Sequence, residues 1–243
     1  MILAVSVSRS PVSPLTGSPT TTADITQKSL TVQMTASNKV YNASDAASVT
    51  YADNRITGDV FTVSGTATFP DKNVGTARTV TASSITLTGT DAANYTQNTT
   101  ATTTANITAK TLTVSGITAG NKTYNASNVA TLSTGSAAFV GVESGDSVTI
   151  GVGSASGVFA DKNIGTGKTV TVSGVTKSGT DAGNYTITQP STTANITAKG
   201  LTVTGITATN RVYDATNGAT TLLDKTAAAL SGVVPGDTVT MNH

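Results

Sequence analysis

The chain has 243 residues, a net charge of +1, 11% charged and 4% aromatic side chains, and neither cysteine nor tryptophan. Near-neutrality without a basic patch argues against nucleic acid as a partner. The missing thiols exclude disulfides and thiolate metal centres, and no apolar run reaches the ~18 residues of a membrane helix.

Disorder usually pairs low hydrophobicity with high net charge. Here Val, Ile and Leu alternate with Thr, which alone makes up about a fifth of the chain. Thr is β-branched and suits a pleated, half-wet surface, so the pattern predicts folded β-structure with small cores.

In chain order, the start MILAVSVSRSP is apolar but short and lacks a positive leading region, so no signal peptide is read from it. Residues 20–27, TTTADITQ, look like the tail of an earlier repeat, and 1–27 is set apart as that tail or as an irregular segment. A strand phrase then recurs, ITQKSLTV at Lys28, ITAKTLTV at Lys110 and ITAKGLTV at Lys199, at spacings of 82 and 89 residues. NKVYNAS follows at Tyr41, NKTYNAS at Tyr124 and NRVYDAT at Tyr213. FPDKNVGTARTVT from Phe69 returns as FADKNIGTGKTVT from Phe159, and GTDAANYT from Gly89 as GTDAGNYT from Gly179, each 90 residues on. The order and spacing define repeat 1 at 28–109, repeat 2 at 110–198 and a truncated repeat 3 at 199–243.

Within each repeat, Leu112, Val114 and Ile117, and likewise Val170, Val172 and Val175, lie in runs that alternate with Thr and Ser. Asp71-Lys72-Asn73 with Gly75, and Asp161-Lys162-Asn163 with Gly165, read as tight loops in which Asp caps the turn and Gly accepts a left-handed backbone. Gly58-Asp59, Gly145-Asp146 and Gly236-Asp237 mark another recurrent turn. The fold class expected is all-β: tandem small β-sandwich or β-grasp-like domains arranged end to end as a rod. A solenoid coil would repeat at shorter intervals, whereas these units are long enough for their own cores. No Pro, Gly-Ser tract or charge run separates one repeat from the next, so adjoining units should be coupled stiffly.

The combination of Tyr41, Tyr124 and Tyr213 with DKNVGT or DKNIGT and GTDAGNYT resembles the YDG/MBG-type repeats of large bacterial adhesins of the filamentous haemagglutinin kind. The resemblance spans about 28–243. It implies secretion or display on the bacterial cell surface and a role in adhesion, and it carries over no catalytic residue. The third position of the Tyr-Asp-Gly motif is Ala43, Ala126 or Ala215 here, and two middle positions are Asn42 and Asn125. Because Ala resists positive φ, no left-handed turn is expected there.

The residues point away from catalysis. His243 is the only histidine, so no Ser-His-Asp or Cys-His arrangement can form inside a repeat. The recurrent acids Asp71, Asp91, Asp161 and Asp181 could pair as in glycosidases, but the aromatic platforms of sugar clefts are scarce. Their recurrence reads as architecture, and their isolation favours turn capping over calcium. No enzyme activity, cofactor or metal is expected. Tyr41, Tyr124, Tyr213, Tyr95 and Tyr185 read as packing residues whose hydroxyls find a partner nearby. Acceptor sequons occur at Asn42, Asn94, Asn98, Asn106, Asn121, Asn125, Asn184 and Asn195, of which Asn42, Asn125, Asn184 and Asn195 are retained as glycosylation candidates.

The function expected is a stalk or spacer of a secreted bacterial surface adhesin, projecting a binding region from the cell. The alternatives are weak glycan or host-protein binding by each repeat, summed by avidity, and an accessory module of a secreted hydrolase. Any partner would be a host surface glycan or protein reached through the parent adhesin; no nucleic acid, membrane span or obligate oligomer is expected. Leu201 and Val203 of the third repeat should lie unpaired or poorly covered, and 199–243 should be less ordered than 28–198.

Overall fold

A computed structural model describes residues 22–216 and 223–242. Repeat 1 is built of β1 (Lys28–Leu30), β2 (Val32–Ala36), β3 (Lys39–Val40), β4 (Val49–Asp53), β5 (Thr62–Thr68), β6 (Gly75–Thr88), β7 (Tyr95–Gln97) and β8 (Ala101–Thr108). A four-stranded sheet runs in the order β3-β8-β6-β5, while β1 pairs with β7 in parallel and β2 with β4 antiparallel. The alternation in the sequence sets which side chains turn inward. Val80 and Ala82 of β6 are buried two residues apart, and Ile85 follows three residues later. That change of phase is a bulge, with Ser84 at φ 52° and a register shift opposite, between Ser64 and Thr66. One extra residue turns Ile85 back to the core.

A single residue, Ala109, separates β8 from β9 (Lys110–Ser115), the first strand of repeat 2. Repeat 2 repeats the plan. The strands Lys122–Thr123, Ser191–Thr197, Gly165–Ser173, Ser156–Phe159 and Val129–Ala130 form a five-stranded sheet in that order. β9 lies between Ala138–Val140 and Tyr185–Ile187. The only helical pieces among the described residues are two 3-10 turns, Ala92–Asn94 and Ala182–Asn184. The fold is therefore all-β, and no helix among the described residues is long and apolar enough to cross a membrane.

Among the described residues every strand pair lies inside one repeat, so the chain does not wind as a coil through Lys110 or Lys199. The apolar core obeys a different boundary. The core of repeat 1, with Leu30, Tyr41, Phe69, Val80 and Ile107 buried, continues into Leu112 and Tyr185 and the half-buried Phe139, Val142 and Val148 of repeat 2. Repeat 2 has two further clusters of its own, one around Phe159, Val170 and Ile196 and one around Ile117, Val172 and Val175. The one-residue connection explains the overlap, because β9 must start against the end of β8. Repeats that were expected only to abut thus share an interior.

Two expectations about the turns are corrected. Ala43, Ala126 and Ala215 do adopt the left-handed conformation, at φ 57°, 58° and 59°. Such a backbone costs an L-residue roughly 1–2 kcal/mol, and the loop supplies compensating bonds. Asn42 Oδ1 accepts the Ser44 N–H and Asn125 Oδ1 that of Ser127, while Asp214 Oδ1 accepts that of Thr216. The Lys39 ammonium donates to the carbonyls of Ser44 and Ala46, and Lys122 does the same to Ser127 and Val129. The second correction concerns Gly75 and Gly165, which do not have positive φ. A Cβ there would lie 2.9 Å from Arg78 Cδ or 3.1 Å from Lys168 Cδ, so these glycines make room for a side-chain stem. The left-handed positions of that bulge are Ala77 and Gly167, two residues later.

In repeat 3, Thr202–Thr204 pairs with Ala229–Ser231 and Thr207–Ala208 with Leu223–Asp224. Val203 is therefore paired along one edge, and its side chain and that of Leu201 are poorly covered, at 50% and 37% exposure.

Candidate functional site

The loop chemistry read from the sequence converges where repeat 1 meets repeat 2. Tyr41 follows β3, and its N–H donates to the Thr108 carbonyl at 2.8 Å, which pins it beside the end of β8. Its hydroxyl donates to Asp146 Oδ2 of repeat 2 at 2.7 Å. Tyr185 donates to the same oxygen at 2.6 Å and accepts the Glu143 N–H at 2.9 Å. The two rings meet edge to face, with centroids 5.3 Å apart, an arrangement aromatic quadrupoles favour. Lys72, from the Asp-Lys-Asn loop of repeat 1, donates to Asp146 Oδ1 at 2.6 Å and lies 2.9 Å from Asp181 Oδ1.

A second contact flanks this one. Asn184 Nδ2 donates to Asn73 Oδ1 at 3.0 Å, and Asn184 Oδ1 accepts the Val74 N–H at 2.9 Å. On the repeat 2 side, Lys110 and Glu143 pair at 2.6 Å. Repeat 1 thus contributes Tyr41, Lys72 and Asn73, and repeat 2 contributes Asp146, Asp181, Asn184 and Tyr185.

The electrostatics follow from burial. The Asp146 side chain is 1% exposed, and burial opposes its charge. Hydrogen bonds from Lys72, Tyr185 and Tyr41 outweigh that and hold its pKa below the ordinary value of 3.8. Burial, followed by the bond to Asp146, pushes both tyrosine hydroxyls up from 10.0. The bonds to Asp146 and then Asp181 keep Lys72 charged well above its usual range. At neutral pH the cluster therefore holds one ammonium, two carboxylates and two neutral phenols, a fixed lock in which no group is poised to exchange a proton.

The same parts recur at both outer faces. At the far side of repeat 1, Tyr95 donates to Asp59 and accepts the Ile56 N–H. At the junction of repeat 2 with repeat 3, Tyr124 donates to Asp237 Oδ1 at 3.0 Å, with Lys162 3.8 Å from that oxygen. Tyr213 is 88% exposed.

The remaining predicted residues are turn and cap positions. Asp71 accepts the Asn73 N–H and pairs with Arg78, and Asp161 does so with Asn163 and Lys168. Asp91 accepts the Val60 N–H and Asp181 that of Ser147. Asn184 is buried with both ends of its amide engaged, so it is withdrawn as a glycosylation candidate in the folded chain. Asn42 and Asn125 are exposed, and Asn195 is half-buried with its Oδ1 accepting the Gly167 N–H. Sequence reasoning did not single out Asp146, Lys72 or Asn73 as partners across the boundary. Their signal was present in the recurring Gly-Asp turn and Asp-Lys-Asn loop.

These features define a class: tandem all-β modules, each carrying both complementary halves of a head-to-tail contact. The YDG domain family matches residues 26–105 and 108–194, and the chain belongs to it. Comparison with curated proteins and with solved structures finds no match.

Proposed function

We propose that these YDG repeats form the stalk of a secreted bacterial surface adhesin, with the parent protein's binding region held away from the cell. The observation that carries this reading is the junction. A one-residue connection, a shared core and the Tyr41–Lys72–Asp146–Tyr185 lock all oppose bending between repeats. A flexible linker would let the array coil back on itself, whereas locked repeats hold their reach. Host glycans or proteins would then be met by other parts of the parent adhesin.

Two measurements test the proposal. Protease treatment of intact producing cells should release peptides from 28–198. Replacing the repeats with an unrelated stiff module of equal length should preserve adhesion, whereas deleting them should lower it. Peptides found only after lysis, or adhesion lost despite a length-matched replacement, would overturn the stalk reading.

A further inference from the structure

We infer that each complete repeat is built to carry tension along the chain, with its entry and exit strands forming a shear clamp. Residues 28–40 of repeat 1 run beside residues 95–108 in the same direction. β1 pairs in parallel with β7, Lys28 opposite Tyr95, and β3 pairs in parallel with β8, Val40 opposite Thr108. Between these pairs β2 lies against β8. Asn98 fastens the middle stretch, where its Oδ1 accepts the Val32 N–H at 2.7 Å and its Nδ2 donates to the Val32 carbonyl at 3.1 Å. Near the exit, Asn38 Oδ1 accepts the Asn106 N–H at 2.7 Å, and the Tyr41 N–H donates to the Thr108 carbonyl. Repeat 2 has the same arrangement. Lys110 stands opposite Tyr185 and Thr123 opposite Thr197, both in parallel. Asn121 Oδ1 accepts the Asn195 N–H at 2.8 Å, and the Tyr124 N–H donates to the Thr197 carbonyl.

Strand direction decides how such a pair answers a pull. Because entry and exit strands are parallel, the chain comes in at one end of the pair and leaves at the other. Tension therefore slides one strand along its partner and loads the bonds between them together. An antiparallel pair would bring entry and exit to the same end, where tension opens the bonds one after another. Forced unfolding is governed by the unfolding rate, and loading the bonds together raises the barrier that sets it. The junction adds to the grip. Tyr41 lies directly after β3 and its hydroxyl reaches Asp146, so repeat 2 holds both strands at the exit end, β8 through Ala109 and β3 through the lock. Load then passes to the next repeat through side chains as well as through one connecting residue. The inference goes beyond the stalk reading. Stiffness against bending needs only the junction, whereas resistance to stretching needs the parallel pair inside each repeat, wherever the protein resides.

The chain has no cysteine, so introduced pairs choose the pulling axis for single-molecule force spectroscopy on the full chain. Thr26→Cys with Lys199→Cys stretches both repeats along their clamps. Thr26→Cys with Ala93→Cys pulls from two points at the entry end of one clamp and peels β1 from β7. All three sites are exposed. At one pulling speed the mean rupture force should be at least about twofold higher on the first axis, because peeling loads one bond at a time and a single bond contributes little. Asn38→Ala combined with Asn121→Ala should lower the force on the first axis and leave the first peeling event unchanged, since that event lies at the β1–β7 end. The comparison of the two axes needs no such variant and stands if the variant fails to fold. Equal forces on the two axes, or a folded Asn38→Ala, Asn121→Ala chain that keeps its full force on the first axis, would overturn the clamp. Neither result would touch the cell-shaving test of the stalk.

Discussion

Replacing Tyr41 should loosen a stretch of repeat 2 that lies about a hundred residues away in sequence. Tyr41 is 1% exposed, stacks edge to face on Tyr185 and donates to a buried carboxylate. Truncating a buried aromatic ring to Ala costs about 3–5 kcal/mol, and a hydrogen bond to a charged group contributes about 1.5–3 kcal/mol. These overlap, so Tyr41→Ala should cost about 5 kcal/mol and Tyr41→Phe about 2 kcal/mol. With a urea dependence of about 1–3 kcal/mol/M, the Ala variant should unfold at roughly 2 M less urea. Hydrogen exchange locates the effect. In Tyr41→Phe, the amides of Glu143, Asp146 and Tyr185 should lose protection together with those of β3 and β8. If repeat 1 loosens while Glu143 and Tyr185 keep their original protection, the shared-core argument fails.

Stability should form a plateau between about pH 4 and pH 10. The depressed Asp146 pKa gives stability that is present above the unfolded value of 3.8 and is lost as pH falls through the folded value. The raised Tyr41 and Tyr185 pKa values give stability that is present below 10.0 and is lost as pH rises toward the folded values. Chemical denaturation across pH checks both limbs, and Asp146→Asn should flatten the acid one. Ala77→Gly should raise stability by roughly 0.5–1 kcal/mol, because relief of about 1–2 kcal/mol of left-handed strain exceeds the entropy gained by the unfolded chain. Repeat 2 already has Gly167 at this position, so the matching Gly167→Ala change should destabilise by a similar amount in the same melts. Hydrogen exchange should run faster over 199–216 and 223–242 than over 28–198, and uniform protection would contradict the exposure of Leu201 and Val203.

Much of the fold was legible because β-structure writes itself locally. Alternation placed Val170 and Val172 in the interior, and the Asp71 and Asp161 caps were visible in their own loops. The lock was not legible, for a reason inherent to repetition. When Tyr41 and Tyr124 recur with Asp59, Asp146 and Asp237, the sequence looks the same whether each tyrosine meets the aspartate of its own unit or of the next. Only coordinates show that Tyr41 reaches Asp146 and Tyr124 reaches Asp237. The alanine turns were misjudged for a different reason. A steric rule for one residue omits the neighbouring Asn carbonyl and Lys ammonium that hold the loop in place.

The polarity of the junction has a genetic consequence. An interface whose two sides differ closes no ring unless the rotation permits it, and otherwise extends without limit. Duplicating or removing one whole period by recombination leaves every remaining tyrosine opposite an aspartate, so copy number can drift with no new contact having to evolve. A deletion out of phase would strand one partner of the pair and leave a buried carboxylate such as Asp146 without its tyrosine.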